Sequence, residues 1–324
     1  MKKTIFILFL FVSITWVSFA QNTQKVYITG QGIGYNAVYW LNGEQIVLPK
    51  LSLSAKAEAT AIAVLGSNIY ITGRDGDDVV YWLNGKRIVL PTLSLSAEAT
   101  AIAVSVANVY IAGHDGTDAV YWLNGERIVL QKSDEFSLAK ATAIAVSESN
   151  VYIAGRDGTD AVYWLNGERI VLPKSSLSTE AEATAITISG SNVYIAGHDG
   201  SRRNIVVVYW LNGERIVLPT SEKIAEATAI AVSGSNVYIT GRVGYINIDS
   251  KAVYWLNGKE IVLPKSGKIA TTAAIAVSGS NVYIVGSDDF DTVYWLNGRR
   301  TVLSNSGYYS YIMRNRTNSI LIIN

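Results

Sequence analysis

The sequence predicts an all-β protein, a seven-bladed β-propeller built from four-stranded antiparallel blades. The pentapeptide Tyr-Trp-Leu-Asn-Gly occurs seven times, and its tryptophans lie 40 to 46 residues apart, which is the period of a propeller blade. Each period contains four short runs rich in Val, Ile, Tyr or Ala, enough for four strands. Because no stretch has the sustained 3.6-residue apolar period of a helix, helical solenoids are excluded. An open β-solenoid and a pair of sandwiches are the alternatives.

Residues 141–172 illustrate the four strands of one repeat. The strands, named a to d, are predicted at 141–146, 151–154, 161–165 and 169–172. Between strands c and d, the pair Asn166-Gly167 predicts a type I′ hairpin turn, because both central residues of that turn need positive φ. All seven repeats keep this pair, so seven outer hairpins are expected.

The residue types also predict the order of the strands. Strand a is rich in small residues, which suits the crowded axis of the ring. Strand d is charged and suits the outer edge, where Lys and Arg discourage pairing between sheets. The a–b and c–d turns are then tight, whereas the longer b–c and d–a connections emerge together on one face. Variation between repeats is therefore expected on that face.

The two ends of the chain are expected to share one blade. The first predicted strand, at 25–28, is similar to strand b of the other repeats, so the first blade lacks a strand a. Two C-terminal stretches, 309–313 and 319–323, could supply it. The second is favoured because every strand type then occurs seven times. Such a blade closes the ring and removes a sheet edge.

Residues 1–20 have the features of a signal peptide. A positive start and an apolar run at 5–12 precede small residues at Ser18 and Ala20, the positions that a signal peptidase reads. The mature protein, residues 21–324, is predicted to be one propeller domain that is exported to the periplasm or out of the cell. No later apolar run approaches the roughly 20 residues that a membrane span needs.

Composition limits the partners. The full chain has 27 basic and 26 acidic residues, and removal of Lys2 and Lys3 leaves 25 against 26, a net charge of −1. This balance favours neither nucleic acid nor an anionic membrane surface. The chain has no cysteine, so packing rather than disulfides must hold it together. A monomer that binds a glycan or a partner protein is expected.

The repeat resembles those of exported bacterial β-propeller proteins that carry repeated Tyr-Trp-x-Asn-Gly units and have no assigned activity. This resemblance covers residues 25–303 and implies the fold alone, so no catalytic residue is carried over from it. The Tyr-Trp pair is also similar to the Tyr-Trp-Thr-Asp propellers of receptor ectodomains, but Leu-Asn replaces Thr-Asp here. The Gly-His and Trp-Asp pairs of WD40 repeats and the double glycine of kelch repeats are missing.

The b–c loops contain the candidate binding residues. They are Asp75, Asp77, Asp78, His114, Asp115, Asp118, Arg156, Asp157, Asp160, His198, Asp199, Arg202 and Arg203. Calcium coordination is an alternative role for the aspartates, but the loops lack the spaced acidic run and terminal Glu of a calcium loop. Asp and Gly are also ordinary turn residues. The two histidines lie two blades apart, too far to share a zinc ion, so no metal site and no cofactor is predicted.

The seven repeated tryptophans are interpreted as packing between blades. An aromatic side chain buries roughly 150–250 Å², which is reason enough for it to recur in every blade. Stacking platforms for sugars are the alternative interpretation. The residues are Trp40, Trp82, Trp122, Trp164, Trp210, Trp255 and Trp295.

Near-identical repeats favour a non-enzymatic binding or scaffold function, in which a glycan or a partner protein contacts the face carrying the b–c and d–a connections. Repeats offer the same residue many times, which suits multivalent binding. A polysaccharide hydrolase or lyase with its site at the channel mouth is the alternative. The sequence shows no catalytic constellation, and strand a is not expected to bring an acidic or histidine cluster to the axis.

Overall fold

The structure is a computed structural model that describes residues 24–53, 55–201, 203–245, 248–305 and 316–323. These residues form 28 strands in seven four-stranded antiparallel sheets, as the sequence predicted. None of them lies in a helix that is long and apolar enough to cross a membrane. The predicted signal peptide at 1–20 lies outside the described residues.

Each sheet is one blade. Blade 1 consists of β28 (Arg316–Ile323), β1 (Lys25–Gly32), β2 (Asn36–Leu41) and β3 (Glu44–Val47). Blade 2 consists of β4 (Ala57–Leu65), β5 (Asn68–Asp75), β6 (Asp78–Leu83) and β7 (Lys86–Val89). Blade 3 consists of β8 (Glu98–Val104), β9 (Val109–Asp115), β10 (Asp118–Leu123) and β11 (Glu126–Val129). Blade 4 consists of β12 (Ala139–Ser147), β13 (Asn150–Asp157), β14 (Asp160–Leu165) and β15 (Glu168–Val171).

The remaining three blades follow the same order. Blade 5 consists of β16 (Glu180–Ser189), β17 (Asn192–Ser201), β18 (Asn204–Leu211) and β19 (Glu214–Val217). Blade 6 consists of β20 (Ala225–Ser233), β21 (Asn236–Tyr245), β22 (Asp249–Leu256) and β23 (Lys259–Val262). Blade 7 consists of β24 (Ala270–Ser278), β25 (Asn281–Asp288), β26 (Asp291–Leu296) and β27 (Arg299–Asn305). The first strand named in each blade is its strand a.

The ring is closed at its axis. Strand a of each blade contacts strand a of the next, in the order β4, β8, β12, β16, β20, β24, β28 and back to β4. In blade 1, β28 pairs antiparallel with β1, and Ile320 lies opposite Ile28. The favoured closing stretch, 319–323, is therefore confirmed. The other candidate, 309–313, lies outside the described residues.

The Asn-Gly turns have the predicted geometry. In blade 2, Asn84 and Gly85 have φ of 51° and 80°, and the other six pairs are alike, as a type I′ turn requires. The asparagine side chain has a further role, since Asn84 Oδ1 accepts a hydrogen bond from the Ile69 amide at 2.9 Å. Its Nδ2 donates to Asn68 Oδ1 at 2.8 Å. These two hydrogen bonds connect the c–d turn of blade 2 to the a–b turn beside it.

The tryptophans are buried between neighbouring blades, at most 1% exposed. Trp82 of blade 2 belongs to an apolar cluster with Tyr27 and Ala37 of blade 1 and with Leu48 of the connection that follows blade 1. Its indole nitrogen donates a hydrogen bond to the Pro49 carbonyl, at 2.8 Å, in the connection between these blades. A sugar cannot stack on a ring that has no accessible face. Burial and the hydrogen bond both place the tryptophan where the packing interpretation requires it.

Candidate functional site

The b–c turns and d–a connections lie on one face of the ring, which we call the loop face. Asp75, the last residue of strand b in blade 2, accepts a hydrogen bond from the Leu51 amide at 2.6 Å. Leu51 belongs to the d–a connection at 48–56, which leads from blade 1 into blade 2. The b–c turn and the connection are therefore neighbours, as the predicted strand order implies.

Four of the predicted binding residues hold these connections. Asp75, Asp115, Asp157 and Asp199 are at most 4% exposed. Each receives an amide hydrogen bond from the incoming connection, and each pairs with an arginine of strand d at 2.6 to 2.7 Å. The arginines are Arg87, Arg127, Arg169 and Arg215. A ligand on the loop face would not reach these four carboxylates.

The electrostatics of Asp157 show how firmly such a carboxylate is held. Burial acts to raise its pKa, but the hydrogen bonds donated by Ser137 and Ser133 and the charge of Arg169 outweigh burial. The pKa of Asp157 is therefore lowered from its usual value of 3.8. Asp288 of blade 7 has a lowered pKa for the same reasons, through Ser266, Gly267 and Arg300.

The aspartates that open strand c are also engaged. Asp78, Asp118 and Asp160 lie 2.6 to 3.6 Å from the strand-d arginine of their own blade. Asp118 and Asp160 each pair in addition with a lysine, Lys132 or Lys174, at 2.9 Å. These ion pairs explain why Asp is repeated at the start of strand c. Each of these aspartates is one end of a charge network along the outer edge of the loop face.

The remaining loop candidates are exposed or undescribed. The side chain of Asp77 is 83% exposed and lies 3.7 Å from Arg74. Arg203 is exposed, and Arg202 lies outside the described residues. Within the described part of the chain, no three His, Asp or Glu residues are grouped so that they could hold a metal ion.

Strands a and b bring a second set of charged residues to the loop-face end of the axis, which we call the mouth. They form cross-strand pairs, and directly opposite residues point to the same face of a sheet. The pairs are Glu58 with Arg74, Glu98 with His114, Lys140 with Arg156, Glu182 with His198, and Glu226 with Arg242. The expectation that strand a brings no acidic or histidine cluster to the axis is wrong. The sequence did carry the signal, because the residue two before the repeated Thr of strand a is charged in blades 2 to 6.

The mouth pairs differ in how their charges are satisfied. Arg242 bonds Glu226 at 2.6 Å, and Arg74 donates to the carbonyl oxygens of Gly76 and Leu95 at 2.9 Å. Among the described residues, Lys140 and Arg156 make no side-chain hydrogen bond or ion pair. Blade 4 thus has the one charged mouth pair of blades 2 to 6 in which both members are cations.

The two mouth histidines are neighbours of these unpaired cations. His114 is 5% exposed, and its Nε2 lies 4.0 Å from Glu98. Burial lowers the pKa of His114, and the charge of Lys140 lowers it further, so the imidazole is neutral at pH 7. The Nδ1 atoms of His114 and His198 are buried and have no hydrogen-bond partner among the described residues.

A cavity of about 180 Å³ opens at the mouth, across blades 4, 5 and 6. Its polar lining consists of Arg156, Glu180, Glu182, His198 and Glu226. A second cavity, of about 230 Å³, lies on the opposite face between blades 5 and 6, beside Tyr209 and Asn257. Trp255 lines that cavity but is 1% exposed, so too little of its ring is accessible for a sugar to stack on it.

The loop face also carries large apolar side chains that sequence reasoning did not single out. They lie on the first four d–a connections, at 48–56, 90–97, 130–138 and 172–179. We call them the apolar arc: Leu51, Leu53, Leu93, Leu95, Phe136, Leu138 and Leu177. Leu53 is 97% exposed and Leu177 is 88% exposed. The sequence feature that could have identified the apolar arc is a leucine or phenylalanine within a connection otherwise rich in Ser, Lys and Ala.

The chain matches no known protein-family model and no curated protein. It is similar to a chain in the crystal structure of a nidogen/laminin complex, with 11% identity and a TM-score of 0.48, over 92% of this chain and 98% of that chain. It is also similar to hydrazine synthase of Kuenenia stuttgartiensis, with 13% identity and a TM-score of 0.50, over 73% of this chain and 76% of that chain. The likeness to hydrazine synthase, at 13% identity, bears on the fold and not on ligand or activity.

Proposed function

We propose that this chain is a non-enzymatic binding propeller that recognises a partner protein through its loop face. The observation that carries the proposal is the apolar arc, in which four successive d–a connections present leucine or phenylalanine to solvent. Soluble proteins rarely expose grouped large apolar side chains, and such groups mark contact surfaces. The predicted signal peptide supports a site of action outside the cytoplasm.

The arc is held in place before any partner arrives. The Leu51 amide is bonded to Asp75 and the Leu93 amide to Asp115, at 2.6 and 2.8 Å. The start of each of these connections is also fixed by a tryptophan, through the Pro49 and Pro91 carbonyls. Less backbone ordering is then needed on binding, which favours affinity.

A glycan is less well matched to this surface. Leucine and phenylalanine side chains in the arc offer no hydrogen bonds to sugar hydroxyls, and the seven repeated tryptophan rings are buried and cannot stack on a sugar. The arc also varies between blades, with Phe136 in one connection and leucines in the others. A protein surface, which is itself irregular, suits that variation.

Site-specific photo-crosslinking tests the proposal. A photoreactive residue at position 53, 95 or 177 is expected to capture the same partner protein, because these three positions belong to one surface. The matched control positions are 89, 171 and 217, outer-edge valines that are about half exposed. Capture should be blocked by excess unlabelled protein but not by its Leu53→Ser, Leu95→Ser, Leu177→Ser variant. Equal capture at arc and edge positions would contradict the proposal.

Two other outcomes would replace the proposal that the loop face recognises a partner protein. Saturable binding on a glycan array that the triple serine variant retains would assign the loop face to sugars. Release of oligosaccharides from a polysaccharide, abolished by Glu182→Gln, would assign a hydrolase or lyase to the mouth, where Glu182 and Glu226 line one cavity. The outer-edge variant with Val89, Val171 and Val217 changed to Ser is the control for both measurements.

A further inference from the structure

We propose that the mouth binds a small zwitterion, a molecule with an ammonium group and a carboxylate such as a free α-amino acid, in the cavity between Arg156 and Glu182. This inference is independent of the apolar arc and of the partner protein proposed above. It starts from blade 4, in which both members of the mouth pair are cations.

Blade 4 places two cations where its neighbours place a cation or histidine opposite a glutamate. In blades 2, 3, 5 and 6, the strand-a member of the mouth pair is Glu58, Glu98, Glu182 or Glu226. In blade 4 it is Lys140, directly opposite Arg156. Like charges directly opposite each other on neighbouring strands destabilise a sheet. Blade 4 therefore departs, at a cost in stability, from the carboxylate that blades 2, 3, 5 and 6 keep at this position.

No described residue offsets the repulsion between Lys140 and Arg156. Lys140 and Arg156 are both half-buried, and neither side chain has a hydrogen bond or ion pair with a described residue. A partly desolvated cation without a partner is unfavourable. The geometry therefore points to a carboxylate that comes from outside the chain.

The same cavity offers acceptors for a positive group. Glu180 and Glu182 line it, and neither carboxylate has a described hydrogen-bond or ion-pair partner. Glu226 also lines the cavity, but its charge is matched by Arg242 at 2.6 Å. The buried Nδ1 of His198 is a further group without a described partner. Unpaired groups of both signs thus face one small space.

A zwitterion satisfies both signs, whereas a simple ion satisfies one and is repelled by the other. A guanidinium binds a carboxylate through two parallel hydrogen bonds, and carboxylates accept hydrogen bonds from an ammonium group. The cavity of about 180 Å³ is smaller than the roughly 300–1,000 Å³ of sites for drug-sized ligands. Its size therefore suits a compact molecule rather than an oligosaccharide.

Calorimetric titration of the mature protein with a panel of free amino acids tests the inference. Acetate and methylammonium, which carry the two charges separately, are the matched control ligands. At least one amino acid is expected to bind, with an affinity at least about tenfold higher than either control ligand. Acetate binding as tightly as the best amino acid would reduce the site to a simple anion site. Absence of amino acid binding at millimolar concentration would overturn the inference.

The decisive variant is Lys140→Glu, which creates in blade 4 the glutamate–arginine pair of blades 2 and 6. It should weaken amino acid binding at least about tenfold and raise the thermal midpoint of the ligand-free protein, since a repulsive pair becomes attractive. Lys174→Glu, outside the mouth, is the control and should leave binding unchanged. Unchanged binding in the Lys140→Glu and Arg156→Gln variants would sink the proposal. Partner capture by the apolar arc should persist in both, which separates this test from that of the proposed function.

Discussion

At the scale of single residues, Asp157 shows why an apparent ligand-binding motif is internal. Its carboxylate accepts a hydrogen bond from the Ser133 amide at 2.6 Å and another from the Ser137 hydroxyl, and it pairs with Arg169 at 2.6 Å. These partners come from the incoming connection and from strand d. One buried carboxylate therefore joins three segments of chain, which is why Asp recurs at this position in five blades.

Substitution of that carboxylate should cost much stability. Asp157→Asn is expected to lower the free energy of unfolding by about 3 kcal/mol, because Arg169 and two hydrogen-bond donors lose their charged acceptor in a buried site. Arg169 keeps Asp160 at 3.6 Å, which limits the loss. The loss in free energy of unfolding is measured by urea unfolding, with tryptophan fluorescence as the readout. The control Asp77→Asn, at an exposed site, should change the free energy by less than about 0.5 kcal/mol.

Acid should weaken the fold through the same carboxylates. The pKa values of Asp157 and Asp288 are lowered in the folded state, from 3.8. Their contribution to stability is therefore complete above pH 3.8 and is lost as the pH falls through the folded pKa values. Urea midpoints measured between pH 6 and pH 2 should fall steeply at the acid end. The double variant Asp157→Asn, Asp288→Asn should show a smaller fall, and an identical fall would contradict this assignment.

At the scale of strands, each blade joins strand a to strand b through a β-bulge. In blade 2 the register shifts between Ala59 and Ala61, and Thr60 turns its hydroxyl to the Ala99 carbonyl of the next blade at 2.8 Å. The bulge brings the Glu58 carbonyl oxygen against Gly73, where a side chain would overlap it. In blades 2 to 7 the equivalent glycine of strand b is therefore needed for close approach of two backbones.

A methyl group at that glycine should strain the blade. Gly73→Ala is expected to lower the free energy of unfolding by about 3 kcal/mol, the upper end for overpacking, because the obstacle is backbone and cannot rotate away. Gly279→Ala is the control, since a side chain there meets nothing within 4 Å and only the left-handed φ of 57° opposes it. That change should cost about 1 kcal/mol. Equal losses in the two variants, measured by urea unfolding, would contradict the close approach.

At the scale of the whole molecule, the ring depends on strands from the two ends of the described chain. β28 completes blade 1 beside β1, and Ile28, Val38 and Ile320 pack with Tyr283 and Val285 of blade 7. This interface is the counterpart of the other six between blades. A ring closed in this way has no exposed inner edge.

A cross-link between the two ends tests the closure, and the chain has no cysteine to interfere. Val26 and Ile322 lie opposite each other on β1 and β28. The Val26→Cys, Ile322→Cys disulfide should add up to about 5 kcal/mol, because it closes a loop of nearly the whole chain. The control disulfide Val146→Cys, Val151→Cys closes one hairpin and should add about 2 kcal/mol. Equal gains in urea midpoint, or failure of the long cross-link to form, would contradict the pairing.

The sequence predicted most of the fold because its signals are local and are repeated seven times. The Asn-Gly turns, the alternating strands and the small residues of strand a all act within a few positions of each other. Closure by 319–323 followed from counting strand types. Bulges were not predicted, since the register of two strands depends on backbone contacts such as that of Gly73 with Glu58.

The candidate site was predicted less well. Asp75, Asp115, Asp157 and Asp199 were placed on the correct face, but the sequence alone could not show that an arginine 12 or 16 positions later would bury each of them. His114, Arg156 and His198 were named as loop residues and lie instead at the mouth. The apolar arc was missed because the exposure of a leucine depends on the path of its connection.

By itself, the sequence determined the strands, their order, the number of blades and the face on which variation collects, because each of these follows from a local pattern. The tertiary structure decided which charged residues are partnered and which are free. That outcome depends on distances between neighbouring blades, where Glu226 meets Arg242 while Lys140 and Arg156 meet no described carboxylate. The proposed zwitterion site therefore rests on a departure from the repeat, and only the folded ring shows which groups that departure faces.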